Sequence, residues 1–286
     1  MIPTAFSFLY FKRRVINGFC LLLSALAILI GLAWLIWILS SLLRHGLPGF
    51  SWHLFTQMTQ APGTEGGLLN AIVGSLMMVL VAVIIGTPVG LLIGTYLAEF
   101  GKNGRLANTV HFVNDVFISA PSILLGLFIY QLVVVTTGHF SGWAGSFALA
   151  LMVVPIVTRT TEDMFLLVPI HMREAAIALA APRWKVIVSV VLRISRTGVL
   201  TGILLATARV MGETAPLLFT ALNNQFFSVN MNQPMANLPM VIFQYAMSPY
   251  DDWHKLAWAG ALLITVFVLL LNITVRLLSK QKLPII

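Results

Sequence analysis

Residues 69–98 read LNAIVGSLMMVLVAVIIGTPVGLLIGTYLA, thirty residues without a single Asp, Glu, Lys or Arg. As a helix this stretch would be about 45 Å long, more than enough to cross a hydrocarbon core about 30 Å thick. Gly86, Gly90 and Gly94 recur at every fourth position, so they fall on one face and form a flat strip that lets another backbone approach closely. Packing within the chain and packing against another subunit are equally compatible with such a strip. Pro88 lies inside it and is expected to bend the helix.

Working outward, five further stretches meet the same criterion, giving spans at about 17–43, 69–98, 110–136, 143–166, 198–221 and 256–278. The composition agrees: 59% hydrophobic, 9% charged and a mean hydropathy of +0.95 describe a chain that lives in lipid, not one with a soluble surface. The expected fold is an all-α membrane protein with six transmembrane helices. The organisation is a cytoplasmic N-terminus and first helix over 1–43, a core over 69–278 and a cytoplasmic tail over 279–286. Lys12, Arg13 and Arg14 before an apolar run imitate a signal peptide, but a run from Val15 to Leu43 is too long, and an uncleaved span fits better.

With the N-terminus inside, the inner segments collect 14 of the 17 basic residues: Lys12, Arg13, Arg14, Lys102, Arg105, Arg159, Arg173, Arg183, Lys185, Arg193, Arg196, Arg276, Lys280 and Lys282. Arg44 and Lys255 fall outside and Arg209 within a span. This bias expects both termini in the cytoplasm, and it explains the net charge of +8 without nucleic acid. Cys20 is the sole cysteine, so neither an intrachain disulfide nor a cysteine metal site is available. The outer segments 44–68 and 222–255 carry Pro48, Pro62, Pro234, Pro239 and Pro249, read as short docking surfaces without long helices. Trp34, Trp37, Trp52, Trp143, Trp253 and Trp258 fall near the outer boundaries, as an interfacial aromatic belt would.

Two polar features stand out against this background. The inner segment 160–197 is the longest, and its centre runs Arg173, Glu174, Ala175, Ala176, Ile177, Ala178, Leu179, Ala180, Ala181, Pro182, Arg183, Trp184, Lys185: a helix of high propensity stopped by proline, then a basic segment. Arg209 is the other. An arginine in mid-span costs about 2.5–3.5 kcal/mol on insertion scales, so it needs a partner or a task, and Glu213 is four residues on. Either the two form a structural pair, or Arg209 offers its guanidinium fork to an oxyanion while Glu213 keeps the site from trapping it. Arg159, among Thr158, Thr160 and Thr161, is a second path candidate or equally a topology anchor. Asn114 and Asp115 suggest a structural or gating contact, and His111, His139 and His171 boundary positions.

The Glu174-Ala175-Ala176 string resembles the coupling loop of ABC importer permeases. With Arg159 to Met164 and Gly212-Glu213-Thr214-Ala215-Pro216-Leu217-Leu218-Phe219-Thr220-Ala221, the chain resembles the phosphate branch of that family, its Pst A-type integral subunits. Gly66-Gly67, Tyr96 to Glu99, Ser119 to Ser122 and Phe140 to Gly145 fit as well, so the likeness covers about 44–278. The resemblance implies a type I, MetI-like architecture in a bacterial inner membrane. It implies a second permease subunit as heterodimer partner, two copies of an ABC ATPase, an extracytoplasmic phosphate-binding protein and inorganic phosphate as cargo. It further implies that Arg173, Glu174, Ala175, Ala176, Ala180, Pro182 and Arg183 engage the ATPase. Ala180 replaces the family's usual glycine and Leu192-Arg193 its Leu-Pro, which leaves open a continuous or differently bent helix there.

No G-x-x-x-x-G-K-[ST] loop occurs in the chain, so ATP and Mg2+ are expected in the partner ATPase, with no cofactor and no catalytic residue here. Two rivals are an ion-coupled secondary transporter using Asp115 or Glu213, and a membrane enzyme acting on phosphorylated lipids. Sulfate or molybdate is the alternative cargo, since an arginine fork alone does not separate tetrahedral oxyanions.

Overall fold

A computed structural model of the chain describes residues 4–64, 66–101 and 104–279. Lys102, Lys280, Lys282 and the tail from residue 280 lie outside the described residues, as does the side chain of Arg276. The fold is all-helical, with α1 (Thr4–Gly46), α2 (Leu69–Glu99), α3 (Arg105–Ser119), α4 (Ser122–Thr137), α5 (Gly142–Leu166), α6 (Ile170–Ala178), α7 (Arg183–Val210), α8 (Leu238–Ala246) and α9 (Asp251–Ser279). Among the described residues five helices are each long and apolar enough to cross a membrane, and α3 with α4 makes a sixth span if the bent pair crosses once.

Two expected spans change shape. The stretch 110–136 is not one straight helix: α3 and α4 meet at 107°, because Ala120 and Pro121 are extended (ψ 134° and 133°). Proline drives the residue before it out of the helical region, and the Ala120-Pro121 dipeptide carried that signal. The fifth span begins and ends earlier in the chain. It runs Arg183–Val210 instead of 198–221, passing through a π-helical turn at Ile187–Val191. Arg193 and Arg196 lie on this helix and lowered the apolar score of its first half. The polar segment 160–197 therefore shrinks to 167–182 with α6 at its centre, and residues 211–221 leave the helix to form a short turn, Ala215–Leu218, packed under α4. At that contact Gly126 is required: a β-carbon on it would stand 2.6 Å from the Pro216 Cα.

The core is built on α2 against α5. The glycine strip of α2 faces α5 within this chain: β-carbons added at Gly86 and Gly90 would lie 2.9 Å from Val153 Cβ and 2.8 Å from Val157 Cβ, and one at Gly94 would lie 2.6 Å from the Thr158 carbonyl oxygen. All three glycines are buried, and α2 continues as one helix through Pro88. Gly198 and Gly202 do the same for α7, closing on Met164 and Thr160 of α5. The centre is thus α5, whose most apolar stretch is 67% buried, against 28% for those of α2 and α7.

By contrast, α1 stands apart. Residues 9–39 are exposed throughout, including Trp34 and Trp37, and the helix is tied down only near its C-terminus, where His45 stacks on Trp258 at 5.0 Å. Segments 44–68 and 222–255 pack together as a cap. Ser75 Oγ accepts the Leu238 N–H at 2.7 Å, and Asn70 donates to Thr59 Oγ1 and to the Asn224 carbonyl. Asn237, fully buried, caps α8 by accepting the Met240 N–H at 2.9 Å and donates to the Leu222 carbonyl. Tyr245 stacks on Trp253 at 4.4 Å, and burial there pushes its hydroxyl up to about 12.

Candidate translocation path and coupling segment

Arg209 lies in the last turn of α7, not in mid-helix, because the chain leaves the helix at Met211-Gly212. That places a cation where unpaired helix carbonyls favour one. The helix carries it about 20 Å beyond Arg196, taking 13 residues at 1.5 Å each. Glu213 Oε1 is 3.9 Å from Arg209 Nε, a charge contact too long for a hydrogen bond. The two ends of the pair differ: 51% of the Arg209 side chain is open, against 19% for Glu213. The buried structural pair considered from sequence is not what forms. Glu213 is tucked in, and half of the Arg209 side chain stays open on a face that the described residues do not cover.

Arg159 behaves alike. It lies on α5 with Asp163 Oδ2 at 3.7 Å, and both side chains are 52% open although α5 is the most enclosed span. Arg159 and Arg209 share no carboxylate, since each has its own acid four residues on. Gly202 opposes Thr160, so the two arginines sit on neighbouring helices about two turns apart in depth. Beside Arg159, buried Glu162 reaches across to His111 of α3 at 3.3 Å, a contact the sequence did not reveal because the histidine sits among boundary residues. Asn114 donates to the Pro155 carbonyl at 3.4 Å, a structural contact, whereas Asp115 is exposed.

The segment between α5 and α7 forms a helix, a turn and a helix. In α6 no residue is buried, and Glu174, Ala175, Ile177, Ala178, Leu179 and Ala180 are all exposed. The turn is sharp: Ala180 takes φ +58°, its N–H bonds the Ile177 carbonyl at 2.8 Å, and the Ala181 N–H bonds the Ala176 carbonyl at 3.2 Å. This pair of bonds closes a helix C-terminus with a left-handed residue, a position that normally selects glycine. The alternative of a continuous helix at Ala180 is therefore not adopted; alanine accepts the strained conformation and the geometry a glycine would give is kept. Pro182 then starts α7 just before Arg183.

Arg173 does not face outward with its neighbours. Its Nε and Nη2 donate to Glu99 Oε1 at 3.1 and 2.8 Å, and Nη2 also donates to the Phe165 carbonyl at 2.7 Å. Both side chains are largely buried, 14% and 13% open. Glu99 was named from sequence as the end of the Tyr96 to Glu99 string, with nothing there to pair it with Arg173. Among the described residues no cluster of His, Cys, Asp and Glu is arranged to hold a metal ion.

Comparison with known proteins places this geometry. The model of the family described as "Binding-protein-dependent transport system inner membrane component" matches residues 86–283. The phosphate transport system permease protein PstA of Haemophilus influenzae is 56% identical over 273 residues, which is 96% of this chain and 97% of the relative. PstA 1 of Mycobacterium tuberculosis H37Rv is 33% identical over 99% of this chain and 95% of its own length. Among solved structures, the inward-facing MetNI methionine ABC transporter aligns with a TM-score of 0.63 at 20% identity, covering 74% of this chain and 94% of that one, a likeness of fold. With the family model covering well over half its length and PstA relatives matching end to end, the chain belongs to the binding-protein-dependent transport system inner membrane components and groups there with the PstA permease proteins.

Proposed function

We propose that this chain forms half of the translocation path of an ATP-driven importer of inorganic phosphate, with Arg209 as its principal anion contact. The observation that carries the cargo is the end-to-end identity to phosphate transport permeases. The observation that supports the residue is the half-open guanidinium at the buried end of α7. A planar fork of donors suits the oxygens of a tetrahedral anion, and Glu213, drawn back at 3.9 Å, weakens the site enough to let the anion go. Arg159 would serve as a second, inner station.

The second permease would cover the face on which Arg209 and Arg159 lie open, since neither charge is tolerable against lipid. The ATPase would receive α6, whose outward face ends in Leu179, 85% open, and Ile177, 54% open, an apolar tip on a helix of small residues. Glu174, Ala175 and Ala176 supply that surface, while Ala180, Pro182 and Arg183 set the turn behind it. ATP and Mg2+ belong to that partner, and coupling is mechanical, a displacement of packed helices. An extracytoplasmic phosphate-binding protein would deliver cargo to the cap. The basic residues of the inner segments support cytoplasmic termini. Family membership does not favour the ion-coupled alternative.

The test is Arg209→Gln in the assembled transporter. Phosphate uptake should be lost while the subunits still copurify, and uptake at the parent level would remove Arg209 from the path.

A further inference from the structure

We infer that Glu99 is a positioning residue for coupling: through Arg173 it fastens the exposed helix α6 to the inner ends of α2 and α5. The inference rests on the proposed docking of an ATPase on α6 but concerns a residue that docking does not touch. Arg173 is the node. From α6 it reaches Glu99 at the end of α2 by two hydrogen bonds, and by others it reaches the Phe165 and Val168 carbonyls where α5 ends. Three elements meet on one guanidinium, and two of them, α2 and α5, are already locked together by the glycine strip.

Without this node α6 would be held by little. Apart from Arg173 its residues are exposed or only half-buried, and its far end leads through the Ala180 turn and Pro182 into the π-helical turn at Ile187–Val191. A thrust on a helix so attached would bend the turn before it moved a span. The buried Arg173–Glu99 pair gives it a short, stiff connection to the central helix pair. Such a pair could instead serve folding alone, because stranding one member of a buried ion pair destabilises a protein. The experiment must therefore separate force transmission from assembly.

The variants are Glu99→Gln and the neutral pair Glu99→Gln with Arg173→Gln, which strands no buried charge. Each is assembled with the second permease and the ATPase in proteoliposomes, with the binding protein and phosphate. Nitroxide labels at Phe100→Cys and Ile170→Cys, in a Cys20→Ser background, report the distance between the end of α2 and α6. The parent should show one narrow distance, the same with and without ATP. In the variants that distance should broaden, and phosphate carried per ATP should fall about tenfold while hydrolysis persists. Assembled variants with the parent's narrow distance and transport ratio would overturn the inference, as would failure of both variants to assemble, which would leave the pair a folding role only. If the parent complex hydrolyses ATP but moves no phosphate, the cargo assignment fails, and the distance measurement, which needs no cargo, still decides the clamp.

Discussion

Gly94→Ala adds one carbon where α2 crosses α5 backbone. That carbon would stand 2.6 Å from the Thr158 carbonyl oxygen and 2.7 Å from Thr161 Cβ, whereas ordinary contact begins near 3.4 Å. The shortfall at the oxygen is 3.4 − 2.6 = 0.8 Å. No rotamer change can relieve it, because one neighbour is backbone held in the α5 hydrogen-bond ladder and the other is a β-carbon. Overpacking of this kind costs about 1–3 kcal/mol, and a rigid obstacle argues for the upper end. Alanine returns about 1 kcal/mol through its better helix propensity. The net expectation is a loss of about 2 kcal/mol, or a melting temperature lower by about 3 °C for a chain of this size. Tryptophan fluorescence during thermal unfolding in detergent measures it. Gly31→Ala on α1 is the matched control: nothing lies within 4 Å of its added carbon, so it should melt with or above the parent. A Gly94→Ala protein as stable as the parent would refute the close packing of α2 on α5.

Other expectations follow from single contacts. Ala180→Gly relieves a left-handed alanine and should stabilise the α6 turn by about 1 kcal/mol, read as slower hydrogen exchange at the Ala181 amide; faster exchange would contradict the turn geometry. Arg209→Lys should recover only part of the uptake lost in Arg209→Gln, because a point charge lacks the fork; full recovery would make charge alone sufficient. Ser75→Ala leaves the buried Leu238 N–H without its acceptor and should cost about 1–3 kcal/mol in thermal stability, with unchanged melting speaking against the packed cap.

Much of this fold was legible because lipid imposes a simple rule: long uncharged runs become helices. The spans at 69–98 and 143–166 match α2 and α5 nearly to the residue. The rule failed where charge and helix coincide. Arg193 and Arg196 belong to α7 yet read as loop, and Gly212 to Ala221 read as span yet fold into a short packed turn. The strip of Gly86, Gly90 and Gly94 announced close packing, but spacing alone could not name the neighbour; Val153, Val157 and Thr158 of α5 do.

The site divides similarly. Arg209 with Glu213 was visible as an i, i+4 pair in an apolar run, but which member stays open depends on where α7 stops. The Arg173–Glu99 node joins residues 74 apart and had no local signature. Ala180 shows the converse, a residue that departs from the expected type and still takes the expected conformation, because the flanking hydrogen bonds at Ile177 and Ala176 hold it there.

The central claim is that this chain conducts phosphate only as part of an ATP-driven assembly. The most direct measurement is radiolabelled phosphate uptake into proteoliposomes holding this chain with a second permease and a separate ATPase, with the binding protein present. Uptake should require ATP, stop when the ATPase is omitted and be insensitive to collapse of proton and sodium gradients. Uptake by this chain alone, or uptake that survives without ATP and falls with an ion gradient, would contradict it.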